Sequence, residues 1–296
     1  MLKFVVFPVT SYYYETLAAR EEKIRDGLTA GGIDFSILDI GNMGKNGDQE
    51  CPLEKREDPM EMDWPVETLF VTDSCVYFNR LREAGRCAIV LYHEGNRGIS
   101  FEGASYGVEN VEELPLRSYE EAYRRLAGFP WDILETERLM VRESTVSDVR
   151  DFYRIYSEPS ITYYMEGLYQ DPEEEKAYME AYIKQAYGFY GFGLWTVLLK
   201  PKGQVIGRAG LNVREGYELP ELGFVIEKRY QGQGYGFEAC SAILRYAKQE
   251  LGFAHVQALV QEKNRESRGL LQKLGFAYER NVKEEGREYR LMVRRL

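Results

Sequence analysis

Residues 229–243 read RYQGQGYGFEACSAI, with Gly232, Gly234 and Gly236 at alternate positions ahead of an amphipathic run. A strand, a glycine-rich turn and the first turn of a helix make an anion site. The N–H groups at a helix N-terminus lack intrahelical acceptors, and the helix dipole favours negative charge there. Without a Cβ in the way, a phosphate can approach the backbone. Two phosphate loops fail on spacing. The G-x-x-x-x-G-K-[ST] loop needs a Lys-Ser or Lys-Thr that does not follow, and G-x-G-x-x-G breaks at position 237, which is Phe. The pattern that fits is Q-x-x-G-x-G, on Gln231, Gly234 and Gly236, with Gly232, Gln233 and Tyr235 between them.

Other residues of chemical interest flank this loop. Glu221 stands mid-strand in PELGF, where acidic residues are depleted, so it is either an outward carboxylate or a functional one. Asn264 reads as the N-cap of a helix beginning at Arg265, and Ser267 as a serine of its first turn. SITYYMEG (160–167) and YGFYGFGLW (187–195) supply aromatic walls suited to an acceptor groove.

The elements that must position these residues follow from pattern. ERLMVRE (137–143) reads as a strand, SDVRDFYRIYSE (147–158) as a helix capped by Ser147, and 171–188 as a helix capped by Asp171 that Gly188 stops. Two strands, 193–200 and 204–213, flank a PKG turn; a third, 217–230, leads into the glycine loop. A helix over 237–251, a strand over 255–263, a helix over 265–276 and two closing strands around a Glu-Gly turn complete the chain. The expected fold class is α/β, with a mixed, mostly antiparallel sheet and flanking helices over residues 134–296.

The loop, the strand ELGFVIEKRY before it and the downstream NRESRGLLQKLGF, taken in that order, resemble the GNAT N-acetyltransferase family. The branch they resemble is that of the ribosomal-protein-alanine acetyltransferases (RimJ/RimL type). The resemblance covers 134–296. It implies acetyl-CoA as co-substrate, its pyrophosphate on Gln231–Gly236 with the Gln231 backbone N–H included. It also implies the pantetheine arm along the backbone of Phe224, Val225 and Ile226, a CoA contact from Asn264, and an acetyl group moved to a primary amine of a peptide or small molecule. A tyrosine serves many members as general acid, and the matching position here is Leu271, which cannot donate a proton. In the RimJ/RimL branch the corresponding donor is a serine, here Ser267. An amine attacks only when neutral, so a carboxylate beside the thioester is needed to take its proton; Glu221 fits, with Glu218 as a rival and Glu238 as a support of the loop.

Residues 1–130 read as a smaller Rossmann-like domain. The segment VTDSCVYFNRLREAGRCAIVLYHEGN (71–96) runs strand, helix, Ala-Gly stop, strand. It resembles the C-terminal part of haloacid-dehalogenase-type phosphatases. Those enzymes need an early D-x-D nucleophile, and Asp39-Ile40-Gly41 lacks the second aspartate. The domain is expected to be degenerate and non-catalytic, with Asp73 as a turn residue.

Charge supports the division. Residues 1–133 hold 14 Lys+Arg against 24 Asp+Glu, whereas the remainder holds 24 of each, and AGFPWDI (127–133) supplies a linker. A formal net charge of −10 argues against nucleic acid as a partner. Four cysteines without a C-x-x-C pair and two histidines argue against a metal cluster and for a reduced, cytoplasmic protein. No apolar run is long enough to span a membrane, and the N-terminus lacks the pattern of a signal peptide. A homodimer is the expected assembly.

Overall fold

The computed structural model describes residues 1–41, 58–284 and 286–296. Cys51 and Glu285, the latter half of the expected Glu-Gly turn, lie outside the described residues. The chain divides into two compact units, Met1–Phe129 and Pro130–Leu296. Among the described residues no helix is long and apolar enough to cross a membrane, and no group of acidic, histidine or cysteine side chains could hold a metal ion.

In the first unit, strands β1 (Phe4–Val9), β2 (Asp34–Asp39), β3 (Thr68–Thr72), β4 (Cys87–Leu91) and β5 (Gly107–Val108) form a parallel sheet in the order β2-β1-β3-β4-β5. Helices α1 (Ser11–Ala18), α2 (Glu21–Thr29), α3 (Cys75–Glu83) and α4 (Leu116–Leu126) accompany them. Parallel strands buried on both faces read as continuous apolar runs rather than alternating ones. Val5 and Phe7 accordingly enter one core with Leu69 and Val71, while Val6 enters another with Phe70 and Val90. This is the Rossmann-like α/β architecture that the run of short strands implied.

Asp73 stands in the bend between β3 and α3, as a turn residue would, but it does more than turn the chain. Its side chain is buried and receives the Thr10 N–H at 2.8 Å, the Thr10 hydroxyl at 2.5 Å and His93 Nε2 at 3.0 Å. Asn96 Nδ2 donates to the carbonyls of Asp73 (3.2 Å) and Leu91 (2.8 Å). These bonds tie together the C-terminal ends of β1, β3 and β4, where a parallel sheet would otherwise leave backbone groups unmet.

The second unit holds one sheet of eight strands, in the order β12-β13-β11-β10-β9-β8-β7-β6. The strands are β6 (Asp132–Glu135), β7 (Leu139–Arg142), β8 (Leu194–Leu199), β9 (Gln204–Asn212), β10 (Glu221–Ile226), β11 (His255–Val260), β12 (Ala277–Glu284) and β13 (Arg287–Arg295). Every neighbouring pair is antiparallel except β10 and β11. Helices α5 (Val149–Tyr156), α6 (Pro159–Thr162) and α7 (Pro172–Tyr182) precede β8; α8 (Tyr235–Gln249) and α9 (Arg265–Lys273) follow β10 and β11. Ala239, Cys240, Ile243, Leu244 and Ala247 of α8 pack with Trp195, Val197, Ala209 and Leu211 of the sheet. Phe152, Ile155 and Met179 of α5 and α7 pack with Val205 and Val225. Burial alone pushes the Cys240 thiol up to about 12, which leaves it an inert core residue.

Three expectations shift. Part of the presumed linker is strand β6. Helix α5 begins later than Ser147, because Thr145 and Asp148 form the reciprocal cap one turn earlier. The helix from Asp171 does not end at Gly188: it continues as a π-helical stretch, Ile183–Tyr190, and stops at Gly191, whose φ is 77°.

Asp148 anchors this unit. It is buried and accepts two guanidinium bonds from Arg142 at 2.7 Å, with further bonds from the Thr145 amide and the Thr196 hydroxyl. Burial works against its charge, and these donors overcome it, so its carboxyl lies below the ordinary 3.8. Removing one partner of such a pair strands a buried charge at a cost of about 3–5 kcal/mol. Asp148→Asn should therefore lower stability by that order in a denaturant titration, and unchanged stability would refute the anchoring role. A depressed folded-state value stabilises above the unfolded-state value, about 3.9, and the contribution is lost as pH falls through the folded-state one.

Candidate active site

The glycine loop joins β10 to α8. Gly232 (φ 73°) and Gly234 (φ 86°) adopt left-handed backbone conformations that L-side chains rarely take, so these two glycines are required by the turn itself. Gly234 is the N-cap of α8, and no side chain caps the helix. Among the described residues the amides of Gly232, Gln233 and Gly234 make no hydrogen bond within the protein. Those of Tyr235, Gly236 and Phe237 open the helix, where no intrahelical acceptor exists. Six consecutive donors thus stand at the positive end of a 15-residue helix. Gly236 lies inside the first turn: an added Cβ would sit 3.4 Å from Leu270 Cδ2 and 3.6 Å from Ile226 Cγ1. Its glycine serves close packing of α8 on β10 and α9 rather than an unusual φ.

Gln231 departs from the expected role. Its backbone N–H is engaged by the Lys228 carbonyl at 3.2 Å and is not free for an anion. Its side chain instead donates to the Ile226 carbonyl at 2.7 Å, bracing the loop against the strand end. Gln233 Nε2 holds the Arg229 carbonyl at 2.8 Å.

Arg138, at the entry to β7, was not singled out from sequence. Its Nη1 donates to the Gln233 carbonyl at 3.2 Å, its guanidinium lies 4.2 Å from the Tyr235 ring centroid, and it pairs with Glu238 at 2.6 Å. Glu238 also accepts the Thr136 hydroxyl at 2.6 Å and the Arg138 amide at 3.0 Å. Burial opposes its charge, but these donors hold the carboxyl below its ordinary value. Nothing in the spacing of ERLMVRE marks Arg138, because its partners lie about a hundred residues away.

Strand β10 supplies the second feature. It pairs with β9 along its length, from Glu221↔Asn212 to Ile226↔Gly207. On the other side it meets β11 at a single register position, Glu221↔Gln257. From Leu222 onward that edge, which includes Phe224, Val225 and Ile226, has no strand partner among the described residues. The sheet therefore opens into a wedge whose apex is Glu221 and whose mouth lies at the glycine loop.

Both oxygens of Glu221 face Arg214: Nε is bonded to Oε2, and Nη2 lies 3.4 Å from Oε1. That bond leads the causes that raise the Arg214 guanidinium above its ordinary value. Gln257, directly opposite, is buried, and its Nε2 has no hydrogen-bond partner among the described residues. Glu218, the rival carboxylate, is exposed in the loop before β10. Asn264 is the N-cap of α9, accepting the Ser267 amide at 3.1 Å. The Ser267 hydroxyl forms no hydrogen bond among the described residues. Leu271 is buried in the core. Of the aromatic segments, Tyr164 donates to the Lys263 carbonyl at 3.1 Å, beside the α9 cap, and the buried Tyr187 donates to the Leu194 carbonyl; Tyr182, outside both segments, donates to Asn212 Oδ1 at 3.0 Å. Burial raises the Tyr182 phenol well above its ordinary value.

Comparison with known proteins bears on this unit. Residues 138–277 match the family described as the acetyltransferase (GNAT) domain. The uncharacterized protein YkkB of Bacillus subtilis (strain 168) is 26% identical over 153 residues, which are 51% of this chain and 88% of that protein. The uncharacterized N-acetyltransferase YnaD of the same organism is 26% identical over 147 residues, 49% of this chain and 83% of its own. The [ribosomal protein uS5]-alanine N-acetyltransferase of Escherichia coli (strain K12) is 33% identical over 103 residues, 34% of this chain and 51% of its own. The family match lies within the second unit and gives no support to a haloacid-dehalogenase kinship for residues 1–130.

Proposed function

We propose, for a chain whose residues 138–277 match the acetyltransferase (GNAT) domain family, that it takes acetyl-CoA and moves the acetyl group to a primary amine by direct attack on the thioester. The observation that carries this reading is the run of unpartnered amides from Gly232 into α8, set at the mouth of a wedge beside the free edge of β10. The amides and helix dipole would hold the pyrophosphate. The free edge of β10 would hydrogen-bond the pantetheine arm as an added strand does.

The amine must arrive neutral. Glu221 at the apex would take its proton through a water. A carboxylate accepts at about four lone-pair positions, so a water can share it with Arg214. The neutral nitrogen attacks the carbonyl carbon and the tetrahedral intermediate collapses. The C–S bond breaks, CoA leaves as its thiolate, and the nitrogen keeps the acetyl group as an amide. Ser267, with its hydroxyl uncommitted at the start of α9, would donate a proton to that thiolate and regain one as the nitrogen sheds its surplus proton to become the amide. The acceptor is an amine of a peptide N-terminus or of a small molecule. Calorimetry with acetyl-CoA, followed by thiol release across a panel of amines, tests the reading. A folded protein that binds no acetyl-CoA would end it.

Arg138 belongs to the same reading as the residue that sets the loop. Without it, Glu238 would present an unpaired carboxylate in the first turn of α8, beside the bound phosphates. Arg138→Ala should weaken acetyl-CoA by about tenfold, roughly 1.4 kcal/mol, and leave kcat at saturation unchanged. Unaltered affinity would count against this role.

The first unit is proposed to be non-catalytic. Asp73 has no free oxygen directed at a substrate: both are committed to Thr10 and His93. The full chain should release no phosphate from a generic phosphate ester. Hydrolysis that vanishes in Asp73→Asn would overturn this assignment.

A further inference from the structure

Arg208 on β9 is a buried cation without a carboxylate. It is 5% exposed, its guanidinium carbon lies 4.6 Å from the Phe152 ring centroid and 5.8 Å from that of Tyr182, and among the described residues its Nε has no hydrogen-bond partner. It forms no ion pair among the described residues. The contrast within the same unit is direct: Arg142, also largely buried, has a bidentate partner in Asp148. Glu175, the buried carboxylate near the same tyrosines, accepts the Tyr169 amide at 3.0 Å and does not reach Arg208. The fold meets this guanidinium with ring faces and the Tyr156 side chain rather than with a carboxylate, and a buried charge without a counter-charge is costly.

Its place in the sheet points to which ligand. Arg208 opposes Val225 of β10, and Asn212 opposes Glu221. Directly opposed residues share a face and the strand period is two, so Arg208, Asn212, Val225 and Glu221 stand on one face. At roughly 3.3 Å per residue, Arg208 is about 13 Å along β9 from Asn212, and the two side chains can close much of that span. Tyr156 hydrogen-bonds the guanidinium, Tyr182 presents its ring to it, and Tyr178, at 47% exposure, is the part of this enclosure open to solvent.

We infer that Arg208 receives a carboxylate of the acceptor, so that the substrates of this enzyme are amines that carry an acid group several bonds from the nitrogen. This rests on the acetyl-transfer reading above, with Glu221 at the amine. Arg208 binds one end of the acceptor while the wedge apex meets the other. A guanidinium in a dry, aromatic setting discriminates a carboxylate from its neutral amide by charge and by paired donors.

The test uses the full chain with acetyl-CoA and three acceptors, glycine, γ-aminobutyrate and ε-aminocaproate, each beside its primary amide. Thiol release gives kcat/KM, and calorimetry in the presence of CoA gives acceptor affinity. At least one acid should exceed its amide by about tenfold or more, and Arg208→Met should bring that ratio to about one with acetyl-CoA affinity unchanged. Arg208→Lys should keep part of the preference. Because an unpaired buried charge is removed, the ligand-free Arg208→Met protein should melt no lower than the parent. Acids and amides accepted equally by the parent would overturn the inference, as would a preference that survives Arg208→Met. A fall in Tm of more than about 5 °C in that variant would also overturn it, by making Arg208 a structural cation. Carboxylate binding that depends on Arg208 without acetyl transfer would uphold the site and refute the transfer reading instead.

Discussion

Gly234→Glu should weaken acetyl-CoA binding by at least tenfold in calorimetry while the protein stays folded. The position has φ 86°, so any L-side chain adds strain, on the order of 1–2 kcal/mol. An added Cβ would lie 3.4 Å from Arg138 Nη2. Gly234→Ala separates the two effects: it carries the strain without the charge and should lose much less affinity. Gly236→Glu gives an independent check, since its backbone is ordinary helix and only the charge and bulk change. A negative side chain among six amide donors opposes the phosphates for which those donors are proposed. Wild-type affinity in a folded Gly234→Glu protein would remove the anion site from the account.

The second large effect concerns the proton. Glu221→Gln should lower kcat by about 100- to 10,000-fold, the usual range for a general base, with acetyl-CoA affinity nearly intact. The activity optimum should also move to higher pH, where more of the amine is already neutral. Arg214 makes a second variant informative. Arg214→Ala frees both Glu221 oxygens and should keep the base at work, whereas a structural carboxylate would lose its purpose with its partner. If Glu221→Gln keeps the parental kcat and pH profile, the base lies elsewhere, with Glu218 next to test.

The parts of the molecule legible in sequence are those written locally. The strand–glycine–helix junction needs only neighbouring residues, and both turn glycines that require left-handed φ stand where the alternation places them. The Asp171 cap with Pro172 after it fixed the start of α7. The parts that escaped depend on distant chain. Arg138 gains its significance only when β7 is laid beside α8. Asp73 reads as a turn residue and stands in a bend, but its buried bonds escape, because Thr10 and His93 come from other parts of the sheet. Gln231 kept its place in the motif but not its expected donor, since the short helical turn at Lys228–Tyr230 takes the amide. Arg208 sits in an apolar strand whose pattern gives no hint that its charge meets a phenol and ring faces but, among the described residues, no carboxylate. The extent of the third strand was overread as well. It is six residues, Glu221–Ile226, because the pairing with β9 begins only at Asn212.

The wedge between β10 and β11 has a consequence for cooperativity. One sheet of eight strands is held across its middle by a single register pair, so β11–β13 and β6–β10 communicate through α8, α9 and little backbone. A co-substrate seated along β10 would supply the missing rungs and weld the two halves into one unfolding unit. Acetyl-CoA should then slow amide hydrogen exchange in β11 as well as in β10, and should sharpen the melting transition as well as raise it.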